Sequence, residues 1–140
     1  MDTGAGHCDG PEYSPDGEWL YFNTETFTSA PGHAQIARLR VDGDAGPEHL
    51  LASETVDWFP HLSPDGQLAS YIRFPGGTVG HPADLPVDVV LVSTGDWTTP
   101  LHIWPLFGGQ GTLNVNSWSP DSTRFAYVAY PLDSFPTTKD

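Results

Sequence analysis

The chain has little cysteine and little positive charge, and each shortage excludes a class of protein. Cys8 is the only cysteine among the 140 residues, so no disulfide can form within the chain. Lys and Arg together number 5 against 18 Asp and Glu, which gives a formal net charge of −13. This charge repels nucleic acid and anionic membrane surfaces, so neither is an expected partner.

Long apolar runs are also missing. No segment approaches the roughly 18 apolar residues that a membrane-spanning helix needs, so membrane insertion is not expected. The first ten residues have no basic region followed by an apolar one, and a secretory signal is therefore not predicted. No segment keeps an apolar period of 3.6 residues over three turns, so the helix content should be near zero. These features leave the compartment undetermined.

Glycine and proline, in contrast, are abundant. The chain has 15 Gly and 14 Pro, spread between short apolar stretches, which favours many turns between strands. At 38% hydrophobic residues the sequence can build an ordinary core of about one domain. We therefore predict an all-β fold.

One turn motif occurs three times. The copies are Ser14-Pro15-Asp16-Gly17, Ser63-Pro64-Asp65-Gly66 and Ser119-Pro120-Asp121-Ser122. Proline presets φ at the first central position, aspartate bonds backbone two residues on, and glycine accepts the left-handed conformation. An alternating apolar stretch follows each copy, so each motif predicts a hairpin. Aligned on the turn, Phe22, Tyr71 and Tyr127 share one column, which we expect to be buried between sheets.

The motif divides the chain into three units. We predict a flexible leader over 1–10, units over 11–52, 60–104 and 116–130, and a tail over 131–140. The first two units each provide four strands, and the third provides two, of which the second covers 124–130. The insertion 75–86 (PGGTVGHPADLP) separates the second and third strands of unit two. Loops of this length are usually functional or mobile, so we expect it to lie outside the sheets.

The repeated P-x-x-S-P-D-G with its aromatic strand resembles the TolB-like β-propeller family, which has a WD40-like repeat. The resemblance covers about residues 9–130 and departs from the pattern at Ser122, in place of Gly, and at Asn116, in place of Pro. It implies antiparallel four-stranded β-propeller blades, about two and a half of them, or roughly half of a six-bladed ring. TolB proper has an N-terminal α/β domain and a signal peptide, and neither is found in these 140 residues.

For TolB the resemblance implies a periplasmic, non-enzymatic role with protein partners. We therefore expect a non-catalytic binding module for a protein, peptide or small ligand, without a cofactor. Two alternatives stay open, namely the propeller part of a prolyl-oligopeptidase-type peptidase and a truncated product without independent function. Because an open set of blades leaves two flanks uncovered, we also expect two copies to close a ring as a homodimer.

Polar residues near the inner strands form a candidate ligand site at the rim of the propeller channel. The set consists of Asp9, Glu12, Asp57, His61, His81, Asp84, Asn114 and Asn116. The alternative is that these groups face channel water and cap strand ends. The spacings H-E-x-x-H and H-x-H are absent, so His61, His81 and Asp84 do not predict a metal site. Without a G-x-S-x-G motif, a catalytic nucleophile is not predicted either.

Overall fold

The computed structural model describes residues 4–43 and 45–131, which form two four-stranded antiparallel sheets, each with its strands in chain order. The first sheet consists of β1 (Cys8–Tyr13), β2 (Trp19–Thr24), β3 (Gln35–Arg40) and β4 (Glu48–Leu51). The second consists of β5 (Val56–Leu62), β6 (Leu68–Phe74), β7 (Ala83–Ser93) and β8 (His102–Gly109). Within these ranges the chain forms no helix, and hence none that could cross a membrane. The all-β prediction of four-stranded antiparallel units, a partial propeller-like fold, is confirmed.

The repeated motif forms the predicted turn in all three places. In the second copy, Gly66 N donates to Ser63 O at 2.8 Å, and the Ser63 hydroxyl donates to Asp65 Oδ1 at 2.6 Å. That hydrogen bond holds the pKa of the Asp65 carboxyl below its usual range. Gly66 has φ of 71°, and Ser122 adopts the same left-handed conformation with φ of 59°. The turn therefore forms even where serine replaces glycine.

The two inner strands, β1 and β5, share a bulge that the sequence does not reveal. Their pairing with β2 and β6 shifts register between Asp9 and Glu12 in β1 and between Trp58 and His61 in β5. A residue with positive φ occupies the same motif position in each, Gly10 at 60° and Phe59 at 56°. A bulge of this kind bends a strand and changes the direction of the side chains beside it.

The two sheets pack face to face. Tyr21 and Ile36 of the first sheet are buried against Tyr71 and Val90 of the second, with Trp97 in the same cluster. Leu113 and Phe125, which follow β8, pack on the opposite face of the second sheet. The aligned aromatic column was expected to be buried between sheets, and Tyr71, at 1% exposure, lies there. Phe22 is buried at 2% exposure, but it packs with Ala37 and Leu39 on the other face of the first sheet, and Tyr127 is 37% exposed.

The third unit forms less structure than predicted. Instead of a strand over 124–130, the described chain has a single antiparallel bridge between Trp118 and Phe125. Within the described ranges no further strand pairs with this segment, and pairing with a single short neighbour provides few hydrogen bonds. Residues 132–140, most of the predicted tail, lie outside the described residues.

Two predicted boundaries also differ from the structure. β1 begins at Cys8, inside the predicted leader, because Cys8 pairs with Thr24 of β2. The end of the predicted insertion, 83–86, belongs to β7 and pairs with the last residues of β8. Only 75–82 lies between strands, so His81 lies just before β7 and Asp84 lies within it.

Candidate functional site

The structure brings five of the eight predicted rim residues together in two groups, and the first group joins all three units. The Glu12 carboxylate of β1 accepts hydrogen bonds from Leu62 N at 2.8 Å and from Asn116 Nδ2 at 2.7 Å. Its second oxygen lies 2.6 Å from His61 Nδ1 of β5. Asn116 also donates to Leu62 O at 3.0 Å. Glu12, His61 and Asn116 therefore form a hydrogen-bonded contact between units, which we call the inter-unit node.

Within this node His61 has no ring nitrogen left for a ligand. Its Nδ1 faces the Glu12 carboxylate, and its Nε2 lies 2.9 Å from Leu113 O. Both ring nitrogens are therefore occupied by protein partners. The His61 side chain is 6% exposed and that of Glu12 is 19% exposed. The geometry indicates a role in holding the units together.

The second group is open to solvent and centres on Asp9 at the beginning of β1. The Asp9 Oδ2 atom lies 3.8 Å from His7 Nε2 and 3.9 Å from His81 Nε2. Its Oδ1 atom accepts a hydrogen bond from Gly10 N at 2.7 Å. The side chains of His7, Asp9 and His81 are 58%, 44% and 29% exposed. We call His7, Asp9, His81 and the neighbouring Trp58 the Asp9 cluster.

Aromatic rings fix the position of His81 in this cluster. The His81 ring lies edge-on to Trp58 at 4.7 Å and to Phe59 at 5.0 Å between centroids. Its Nδ1 atom contacts Gln110 Oε1, in the turn after β8. The segment 75–82 is therefore fixed against β5, the inner strand of its own sheet. This contact places His81 next to Asp9, at the beginning of β1.

Two further predicted residues have only local roles near these groups. Asn114 Oδ1 accepts a hydrogen bond from Gly111 N at 3.0 Å and closes the turn after β8. Asp84 is exposed, has φ of 64°, and its side chain makes no hydrogen bond to another described residue. Neither joins the Asp9 cluster through a contact of its own.

Asp57 is not a rim residue, and its prediction as one is wrong. Its side chain is buried, and it accepts hydrogen bonds from the hydroxyls of Ser53 at 2.5 Å and Thr55 at 3.2 Å. Burial raises the pKa of Asp57 to about 6, although the two hydroxyls act to lower it. The backbone N–H of Asp57 donates to Ala34 O, which places the residue at the junction between the two sheets.

Residues that the sequence did not single out complete the polar network around Asp57. His33 Nε2 lies 2.9 Å from Ser53 O, and Gln35 Nε2 donates to the same carbonyl at 2.8 Å. Gln35 Oε1 lies 2.7 Å from His49 Nε2. These residues are far apart in the sequence and follow no recognisable motif, so the network can be seen only once the pairing of the strands is known.

A metal site is absent from the described ranges 4–43 and 45–131. No group of three or more His, Cys, Asp or Glu side chains there has the arrangement needed to hold an ion. His61, His81 and Asp84 lie apart, in the inter-unit node, in the Asp9 cluster and at an exposed strand position.

A separate cleft of about 370 Å³ lies between the sheets at the end where the motif turns are located. Within it the Arg38 guanidinium lies 3.9 Å from the centre of the Trp19 ring and donates to Tyr21 Oη at 3.3 Å. Arg38 Nε donates to Glu48 Oε2 at 2.9 Å. The arginine is therefore already paired with a carboxylate.

Comparison with known proteins identifies the fold. A solved structure from Agrobacterium tumefaciens, provisionally named TolB, is 44% identical and superimposes with a TM-score of 0.79 over 91% of this chain. The fold is TolB-like. An uncharacterised protein from Agrobacterium fabrum, Atu1656, is 46% identical over 130 residues, or 93% of this chain. No protein-family model matches the sequence.

The TolB-like relatives are longer than this chain. It spans 42% of the uncharacterised protein and 44% of the solved chain, so it corresponds to less than half of each. The TolB-like resemblance predicted from the turn motif is thus supported at the level of the fold.

Proposed function

We propose that this TolB-like domain is a non-catalytic binding module, and that its Asp9 cluster contacts a protein or peptide partner. The observation that carries the proposal is the Asp9 carboxylate, which is 44% exposed and lies within 4 Å of two histidine rings from separate segments. The buried Trp58 and Phe59 rings hold His81 in place, so the site is preorganised. Exposed polar groups on a rigid support are typical of recognition sites.

The charge of the chain indicates the chemistry of the partner. The net charge of −13 creates a negative potential that attracts basic segments and increases their association rate. Asp9 and Asp84 are exposed carboxylates on the two strands that flank His81. A peptide with Lys or Arg residues is therefore the partner that this surface fits best, and its binding should weaken as salt is added.

The geometry around the buried hydroxyls favours binding over catalysis. The Ser53 hydroxyl donates directly to Asp57, and His33 lies against backbone carbonyls. In the Ser–His arrangement of serine hydrolases a histidine accepts the proton of the serine hydroxyl, and no histidine lies against the Ser53 hydroxyl among the described contacts. In the inter-unit node both ring nitrogens of His61 already have partners.

The proposal is tested by selecting peptides from a random display library on the immobilised chain. Selected peptides should be basic, and Asp9→Asn and His81→Ala should each weaken their binding about tenfold, measured by titration calorimetry. Glu18→Gln is the matched control, because it removes the same charge from an exposed residue at the motif-turn end of the first sheet. Peptides that bind both cluster variants as tightly as the unsubstituted chain would place the site elsewhere, and a selection without enriched peptides would contradict peptide binding.

A further inference from the structure

The segment 124–130 has the hydrogen-bonding pattern of a strand at the edge of a sheet. Its even-numbered residues bond inward: Val128 N donates to Thr112 O at 3.0 Å and Tyr130 N to Phe107 O at 2.8 Å. Ala126 N donates to Ser117 Oγ at 3.2 Å. In an extended chain the backbone groups of successive residues point to opposite sides, so hydrogen bonds to one side at every second residue are typical of a strand.

The backbone N–H and C=O groups of the odd-numbered residues point away from the rest of the chain. In an extended chain the N–H and C=O of one residue point to the same side, so those of Phe125, Tyr127 and Ala129 point outward. These groups make no hydrogen bond within residues 4–43 and 45–131. The side chains of this edge are exposed as well, with Tyr127 at 37% and Val128 at 55%.

The sequence of this edge contains none of the residues that usually prevent an edge strand from pairing with another chain. Residues 125–130 read FAYVAY, which contains no charge and no proline and is rich in residues that favour strands. Exposed edge strands usually carry a charge, a proline or a bulge that prevents pairing with another chain. In a chain with a net charge of −13, a neutral apolar edge is also the surface where two copies repel each other least.

We propose that two copies of this chain pair edge to edge through residues 125–129, antiparallel and about a two-fold axis at Tyr127. Identical segments in this arrangement place Tyr127 opposite Tyr127 and Phe125 opposite Ala129, so the outward N–H groups of each copy meet carbonyls of the other. The third unit contributes a two-segment hairpin joined at Trp118 and Phe125. Two such hairpins form one four-stranded sheet, the strand number of the other two sheets.

The ring closure expected from the sequence uses different surfaces. It requires the flank of the first sheet, where Phe22, Ala37 and Leu39 are buried at 2% exposure or less. Edge pairing requires only the segment 125–129, whose outward backbone groups make no hydrogen bond to the residues that the structure describes. It is also independent of the peptide site, because no residue of the Asp9 cluster lies in 125–129.

Analytical ultracentrifugation of the full chain over a range of concentrations tests the pairing. We expect a dimer of twice the 15.2 kDa chain mass at high concentration. Ala129→Pro removes one outward N–H and leaves the inward bonds of 126, 128 and 130 in place, so it should weaken dimerisation at least tenfold. Ala129→Ser retains the N–H and should dimerise normally. A monomer at every concentration, or an unchanged dimer in Ala129→Pro, would overturn the proposal.

Disulfide trapping tests the register and does not depend on how well the proline variant folds. In a Cys8→Ser background, Tyr127→Cys places two cysteines opposite each other on the two-fold axis. Directly paired residues have Cα atoms about 5.5 Å apart, within the range that a disulfide spans. Mild oxidation should cross-link Tyr127→Cys rapidly, whereas Ala126→Cys, which faces Val128 of the other copy, should cross-link slowly. Equal rates, or faster cross-linking of Ala126→Cys, would exclude this register.

Discussion

The Glu12 carboxylate of the first sheet lies 2.6 Å from Nδ1 of His61 in the second, and this contact crosses the boundary between the sheets. Both residues lie immediately after a bulge, at equivalent motif positions of β1 and β5. Asn116, three residues before the third turn serine, bonds the same carboxylate at 2.7 Å. One carboxylate therefore links all three copies of the repeat.

Glu12→Gln should destabilise the fold by about 2–3 kcal/mol, because hydrogen bonds to a charged group are lost from a mostly buried site. Urea denaturation measures the change, with Glu54→Gln as an exposed control that should cost less than about 0.5 kcal/mol. A double-mutant cycle with Asn116→Ala should give a coupling of about 1 kcal/mol or more. Strictly additive effects would show that the node does not link the units.

Tyr71→Ala should cost about 3–5 kcal/mol, the usual result of deleting a buried aromatic side chain. Tyr71 is 1% exposed between the two sheets, where its ring lies 6.3 Å from that of Trp97. Tyr13→Ala is the matched control, because Tyr13 is 58% exposed and its loss should change stability little. Similar losses for the two variants, measured by thermal and urea unfolding, would contradict the packing of the sheets.

The turns and the two complete sheets could be predicted because their signals are local. In Ser63-Pro64-Asp65-Gly66 each residue type favours its own turn position, and the alternation after Gly66 predicts a strand. The third unit was predicted less well. Its segment 124–130 has the strand pattern, but a strand also needs a neighbour, and the neighbour is not encoded within the segment.

The grouping of the candidate site could not be predicted, because it depends on tertiary structure. Phe59 has φ of 56°, a conformation that its residue type does not suggest, and the bulge there helps to aim His61 at Glu12. Asp57 is adjacent to Trp58 in sequence but is buried among hydroxyls from another segment. The position of His81 at the channel rim stays a prediction, and its contact with the Trp58 ring could be found only from the fold.

Asp84→Gly should stabilise the chain by about 1 kcal/mol. Asp84 has φ of 64°, and a left-handed conformation costs most residues about 1–2 kcal/mol. Aspartate tolerates this conformation better than most, so the gain from glycine should be at the low end of that range. The side chain is exposed, so its removal leaves no cavity. Asp84→Ala keeps the Cβ atom and should not stabilise, which separates the backbone effect from the loss of charge. If the alanine variant gains as much as the glycine variant in urea unfolding, the cause is electrostatic.

Asp57→Asn should change how stability depends on pH. Burial raises the pKa of Asp57 in the folded protein to about 6, against an ordinary value of 3.8. Between these values the folded protein keeps a proton that the unfolded chain releases. The stability contributed by this group is therefore highest below about pH 4 and falls as the pH rises to 6. At about 1.4 kcal/mol per pH unit, the loss is about 3 kcal/mol.

The measurement is the free energy of unfolding in urea from pH 4 to pH 7 at constant ionic strength, for both proteins. Asparagine does not titrate, so the stability of Asp57→Asn relative to the unsubstituted chain should rise by about 3 kcal/mol between pH 4 and 6 and then level off. Lost hydrogen bonds from Ser53 and Thr55 lower the stability of the variant at every pH and shift the curve without changing its shape. A difference that is constant over this range would mean that burial does not raise the pKa of Asp57 in the folded protein.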